Sequence, residues 1–176
     1  MFFALWPDPD ARDALAALAR DTAVQAQGRA TEAANLHVTL AFLGDVAVTR
    51  VTALSTIGLA AASMVPPCTL TLDRTGTFRG SGIAWAGASA TPRELGELVQ
   101  QLREALTAEG FALERRTFQP HVTLARRCRK AANVGIVAPI AWNVAGIALN
   151  ASELASGGAR YRELADWPLN GRAPEG

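Results

Sequence analysis

One tetrapeptide occurs twice in this chain, as His37-Val38-Thr39-Leu40 and as His121-Val122-Thr123-Leu124, and the two copies hold both of its histidines. At this composition the three residues after the two histidines would all agree by chance on the order of one time in a thousand, so the pair reads as an internal repeat. Each copy closes a strand-helix-strand unit. Side chains alternate across a strand, so His37 and Thr39 share one face while Leu36, Val38, Leu40 and Phe42 share the other. Val122 and Leu124 stand in the same relation to His121 and Thr123. The expectation is two strands related by an approximate two-fold. Their aliphatic faces pack under helices, and both imidazoles, each beside a threonine hydroxyl, turn into one groove.

The text around the repeat sets out the remaining elements. Phe2 to Trp6 is an apolar run of strand character. Asp8 then offers a helix N-cap with Pro9 at the first helical position. Leu15, Leu18, Ala19 and Thr22 recur at helical spacing against a polar face of Arg12, Arg20 and Asp21, and Gly28 ends that run. A strand is expected over Asn35 to Leu43, closed by Gly44-Asp45. A helix is expected over Thr49 to Ala62 on a Val51, Leu54, Ile57, Leu59 pattern, stopped by Pro66-Pro67. Cys68 to Thr75 and Ile83 to Ala86 form a hairpin about Arg79-Gly80-Ser81-Gly82. Thr91-Pro92-Arg93-Glu94 reads as a capping box that opens a helix with Leu95, Leu98, Leu102 and Leu106 on one face. Strands follow at Pro120 to Arg126 and Trp142 to Leu154. A Gly157-Gly158 turn leads to a last short strand at Tyr161 to Leu164.

Composition narrows the classes. A length of 176 residues suits one domain, and 49% hydrophobic against 19% charged content gives enough apolar area for a folded core. The formal charge is +1, which excludes a broad electrostatic grip on nucleic acid or lipid and leaves a local anion site. Two cysteines, Cys68 and Cys128, are too few for a disulfide framework. The N-terminus lacks a secretory pattern, so the cytoplasm is expected, and with no oligomerisation signal in the sequence so is a monomer. The uncharged stretches Val51 to Leu72 and Ala131 to Ser152 are interrupted by proline, serine or asparagine, and no membrane span is expected.

The repeat suits one chemistry well. A neutral imidazole can take a proton from an attacking oxygen while a second, protonated, gives one to the leaving oxygen across a phosphorus centre. Two threonine hydroxyls can donate to the non-bridging oxygens. No metal is required. A site built from His37, His121, Cys128 and Cys68 lacks ligand pairs at characteristic spacing.

On these residues the chain resembles the two-histidine (2H) phosphoesterase superfamily. Within it the chain is similar to the RNA 2′,3′-cyclic phosphodiesterases, also called 2′-5′ RNA ligases. The resemblance is carried by Phe2-Phe3-Ala4-Leu5, by Asn35 through Asp45, by Pro120 through Arg126, by Ala159-Arg160-Tyr161 and by Trp167-Pro168-Leu169. It implies an α+β fold, a single domain over 1–176 with two pseudo-symmetric, intertwined lobes. Each lobe is an antiparallel sheet backed by helices, and a central cleft lies between them. It further implies hydrolysis of RNA 2′,3′-cyclic phosphate ends to 2′-phosphates without a cofactor, with reversible 2′-5′ ligation in some relatives. By the same resemblance His37 is the general acid toward the 3′ oxygen and His121 the general base toward water. Thr39 and Thr123 hold the phosphate, and Arg126 neutralises it. The alternatives are a non-catalytic module that binds RNA ends and a related phosphodiesterase acting on a small cyclic nucleotide.

Charge placement agrees with the Arg126 assignment. Residues 1–114 carry 8 basic and 12 acidic groups. Arg115, Arg116, Arg126, Arg127, Arg129 and Lys130 follow with no acid among them. Guanidinium forks match phosphate geometry. Phe42, Trp85, Phe118 and Tyr161 are the aromatic residues available to stack on a base.

Overall fold

The structure is a computed structural model that describes residues 1–78, 80–114, 116–131, 135–155 and 158–171. Among the described residues nine strands and three α-helices follow in the order β1 (Phe2–Leu5), α1 (Pro9–Ala26), β2 (Arg29–Ala30), β3 (Val38–Phe42), α2 (Val51–Met64), β4 (Cys68–Phe78), β5 (Ile83–Gly87), α3 (Arg93–Ala108), β6 (His121–Arg126), β7 (Gly135–Val144), β8 (Gly146–Ala155) and β9 (Gly158–Pro168). Every pairing is antiparallel. The sheet runs β7-β4-β5-β6-β3-β1-β8-β9, with β2 attached to β6.

Two four-stranded halves can be read in that order, β7-β4-β5-β6 and β3-β1-β8-β9. They meet where the repeat strands β3 and β6 lie side by side at the Val38 and Val122 pair. The helices are exchanged between the halves. Helix α1 leaves β1 but packs on β6 and β7, whereas α3 leaves β5 and packs on β3 and α2. The chain also changes halves between β7 and β8 across Ala145 alone. Asp8 ties the same region together: one carboxylate oxygen caps α1 at the Ala11 amide (2.9 Å), and the other accepts from the Asn143 amide in β7 (2.9 Å).

Under the sheet the core collects Phe3, Leu5, Leu15, Leu54, Leu70, Leu72, Leu98, Leu102, Leu124 and Trp142, all fully buried. Val38 and Val122 are at 0% exposure there, with Leu36 and Leu40 beside them, as alternation requires. Phe42 does not join them and is 67% exposed.

The reason is a β-bulge. Phe3 faces Ala41 and Ala4 faces Thr39, which leaves Leu40 as an extra residue in β3. One inserted residue reverses which face later side chains take. Leu40 and Ala41 are therefore both buried, and Phe42 emerges on the face of His37 and Thr39. The same irregularity recurs in β6, where Ala84 faces Ala125 and Trp85 faces Thr123, leaving Leu124 unpaired with β5. Leu124 and Ala125 are buried and Arg126 emerges. The repeat is thus structural as well as textual, and it extends to a fifth identical residue, Ala41 and Ala125.

Several elements differ from the sequence expectation. The repeat strand begins at Val38 rather than Asn35, because Ala33–Asn35 form a 3-10 turn. Helix α1 ends at Ala26, and Gln27, not Gly28, takes the left-handed cap at φ 52°. Gly28 instead permits close approach: a Cβ there would lie 2.8 Å from the Cys128 sulfur. Helix α2 starts at Val51 and runs to Met64, and Leu59 on it is 54% exposed rather than buried. No capping box forms at α3, since Pro92 holds the cap position and the Gly96 amide donates to its carbonyl at 3.0 Å. The strand expected over Trp142 to Leu154 is two strands, with Trp142 in β7. The last strand spans eleven residues, not four. Arg79 and Gly157, expected in turns, lie outside the described residues. No helix among the described residues is long and apolar enough to cross a membrane.

Candidate active site

Both repeats open onto one groove of about 430 Å³, whose lining includes His37, Thr39, His121, Thr123 and Arg126. All five residues singled out by the repeat and its resemblance come together here. His37 and Thr39 rise from the start of β3. His121 and Thr123 rise from β6, and the bulge at Leu124 turns Arg126 to the same side.

Each imidazole is held by an equivalent anchor. His37 Nδ1 lies 2.8 Å from the Asn35 carbonyl, and His121 Nδ1 lies 2.9 Å from the Gln119 carbonyl, two residues back in both cases. A carbonyl can only accept, so Nδ1 carries the hydrogen in both rings. That leaves Nε2 of each ring as the atom that takes or gives a proton, on the side away from the anchoring carbonyl.

The surroundings of the two rings are unequal. His37 is packed against Phe2 and Trp6, each with ring centroids 5.2 Å away, and against Tyr161 at 5.0 Å. His121 meets Phe78 edge-on at 5.2 Å. Burial pushes the His37 pKa down, since a charged ring loses hydration there. The hydrogen bond to Asn35 works against that shift, and the positive Arg126 and His121 reinforce it.

Beyond the repeat, the groove gains cations from three directions. Arg29 comes from β2, which pairs with β6 at Arg126 and Ala125. Arg127 follows β6 in a left-handed conformation (φ 55°), and Arg160 stands on β9. Arg29 is 3.6 Å from Glu32, also a lining residue. Sequence reasoning reached Arg126 through the resemblance and placed it, with Arg127, in an acid-free basic segment. It missed Arg29 and Arg160, which reach the groove only through strand pairing. The basic segment does not act as one patch: Arg116 pairs with Glu114 at 2.7 Å and lies outside the groove, and Arg115 falls outside the described residues.

Of the four aromatic candidates, Phe42 and Tyr161 line the groove. Trp85 lies against Gly76 and Gly87 with Phe78 beside it, and Phe118 packs on the core. Phe2 lines the groove as well, and Trp6 reaches His37 from beyond the end of β1. The apolar opening of the chain, read as core strand, gave no sign of either role. The ligand set His37, His121, Cys128 and Cys68 is not assembled: among the described residues no three of His, Cys, Asp and Glu gather in metal-binding geometry.

Comparison with known proteins places this arrangement. Residues 6–151 match the 2′-5′ RNA ligase superfamily. Over 146 residues the chain is 38% identical to the RNA 2′,3′-cyclic phosphodiesterase of Escherichia coli strain K12, an alignment covering 81% of this chain and 80% of that one. A 39% identity over 94 residues relates it to the RNA 2′,3′-cyclic phosphodiesterase of Geobacillus stearothermophilus, covering 52% of this chain and 30% of the relative. The crystal structure of E. coli LigT complexed with 3′-AMP superposes with a TM-score of 0.86 at 33% identity and covers 96% of both chains. A protein of Thermus thermophilus, TT0787, superposes at 0.85 with 28% identity, covering 98% of both. The match runs through both histidine strands and the α+β architecture is shared, so the chain belongs to the 2′-5′ RNA ligase superfamily.

Proposed function

We propose that this protein hydrolyses RNA 2′,3′-cyclic phosphate ends to 2′-phosphates, with His37 and His121 as the acid–base pair. The observation that carries the reading is the matched anchoring of two imidazoles in one groove, each with Nε2 as its free nitrogen and with a threonine two residues on. His121 Nε2 takes a proton from water as the water oxygen attacks phosphorus. The bond from phosphorus to the 3′ oxygen breaks, and His37 Nε2 delivers a proton to that oxygen, leaving a 2′-phosphate and a 3′ hydroxyl. Thr39 and Thr123 donate to the non-bridging oxygens, where charge accumulates. Arg126 balances the anion, and its guanidinium suits two oxygens at once. A 5′ hydroxyl in place of water would give a 2′-5′ linkage by the same proton transfers.

The identities to enzymes bearing the name RNA 2′,3′-cyclic phosphodiesterase support the substrate class. We take residues 1–176 as one domain acting as a cytoplasmic monomer, to be checked by light scattering and cell fractionation. His37→Ala and His121→Ala should each lower turnover of a nucleoside 2′,3′-cyclic phosphate by about 10²- to 10⁴-fold while the circular dichroism spectrum is kept. Undiminished hydrolysis in both folded variants would sink the reading. Binding of cyclic-phosphate RNA without product would mark a binding module instead. A panel of tailed RNA against mononucleotides separates an RNA enzyme from one acting on small cyclic nucleotides.

A further inference from the structure

His37 and His121 share sequence, face and backbone anchor, so nothing inside the repeat decides which gives a proton and which takes one. Beyond the repeat the halves differ in the aromatic residues around each histidine. Leu5 lies opposite Val38 and Ala86 opposite Val122, so the residue after each, Trp6 in one half and Gly87 in the other, holds the equivalent place beside its histidine. An indole fills that place next to His37, and Phe2 and Tyr161 form two more walls. Gly87, directly opposite His121, carries no side chain, and the Trp85 ring lies over it, 2.9 Å from where a Cβ would stand, while Phe78 meets His121 edge-on at 5.2 Å.

We propose that Trp6 is a positioning residue which, with Phe2 and Tyr161, walls in His37, whereas the ring found against His121 is Phe78, and that this difference makes two equivalent imidazoles take opposite parts in the reaction. The proposal rests on the acid–base reading above. Three rings fix the His37 plane and exclude water, so its Nε2 proton is directed to the groove. A dry imidazolium is the stronger donor to a leaving oxygen, and the bound phosphodiester supplies the negative charge that keeps it protonated until then. The charged and titratable groups facing His37 are Arg126 and His121 from β6, Arg160 and the Tyr161 phenol from β9, and the Arg29–Glu32 pair. Of these, Arg126 and His121 add to the burial that disfavours a charged His37.

With two histidines in the chain, a heteronuclear NMR titration follows each ring, and His37→Ala or His121→Ala assigns them. Trp6→Gly removes the side chain, Trp6→Leu removes the ring with less risk to folding, and Trp6→Phe restores an aromatic wall. In folded Trp6→Gly and Trp6→Leu the His37 titration should move up toward the ordinary value of about 6.5. The His121 titration should stay in place, and one limb of the kcat/KM profile should move with His37. Trp6→Phe should return both toward the wild type. An unmoved His37 titration in Trp6→Leu, or an equal shift of both rings, would overturn the proposal. A wild-type protein without turnover would overturn the acid–base reading instead, while the titrations still show whether Trp6 sets the imidazoles apart.

Discussion

At the scale of single residues, the groove works through hydrogens placed in advance. A carbonyl at each Nδ1 removes one tautomer, so neither imidazole has to reorganise before accepting or giving a proton at Nε2. Arg126 is the third fixed part, turned inward because Leu124 is an unpaired residue in the ladder to β5. In the proposed reaction its value would lie in the planar fork more than in the charge, since Arg29, Arg127 and Arg160 also supply positive potential to the groove. Arg126→Lys keeps the charge and loses the fork. Turnover of a cyclic phosphate should fall by about ten- to a hundredfold in kcat/KM, equivalent to ~1.4–2.7 kcal/mol of transition-state binding. Steady-state kinetics on the folded variant decides it, and an unchanged kcat/KM would remove Arg126 from the phosphate site.

At the scale of elements, the junction between β1 and α1 carries more than a helix start. Asp8 uses both carboxylate oxygens, one on the Ala11 amide and one on the Asn143 amide of β7. Asp8→Ala therefore removes a cap and a tie between elements 135 residues apart in the chain. A loss of roughly 1–3 kcal/mol in urea unfolding is expected, above the ~1 kcal/mol typical of a cap alone. The cap itself was legible, because Asp-Pro is a local signal; the tie to Asn143 was not, because nothing near either residue marks the pairing. The same division runs through the fold. The five site residues could be read from the repeat and its resemblance, since strand alternation is a local rule. Phe42 broke that rule because the bulge at Leu40 depends on how β1 pairs with β3. The break at Ala145 was invisible because the chain there changes from one half of the sheet to the other with no turn residue but Gly146. At Thr91 the capping-box pattern was present, but Pro92 took the cap position.

At the scale of the whole molecule, a near-neutral chain brings Arg29, Arg126, Arg127 and Arg160 to the groove where the halves meet, beside a histidine that packing withdraws from water, and this bears on how stability responds to acid. Burial lowers the His37 pKa, and Arg126 and His121 add to the effect. Its pKa in the folded state is below the value in the unfolded chain, about 6.5. Between those two values the unfolded state binds more protons than the folded state, so the free energy of unfolding rises with pH in that window. The contribution of neutral His37 is fully present above about 6.5 and is lost as pH falls through the folded-state pKa. The slope from this one group cannot exceed about 1.4 kcal/mol per pH unit. Urea unfolding of the wild type and of His37→Asn across this range should show the wild type losing more stability on acidification. Inorganic phosphate should reduce the difference, because an anion in the groove makes the charged ring less costly. Parallel pH profiles for the two proteins would show that the empty groove imposes no charge penalty on His37.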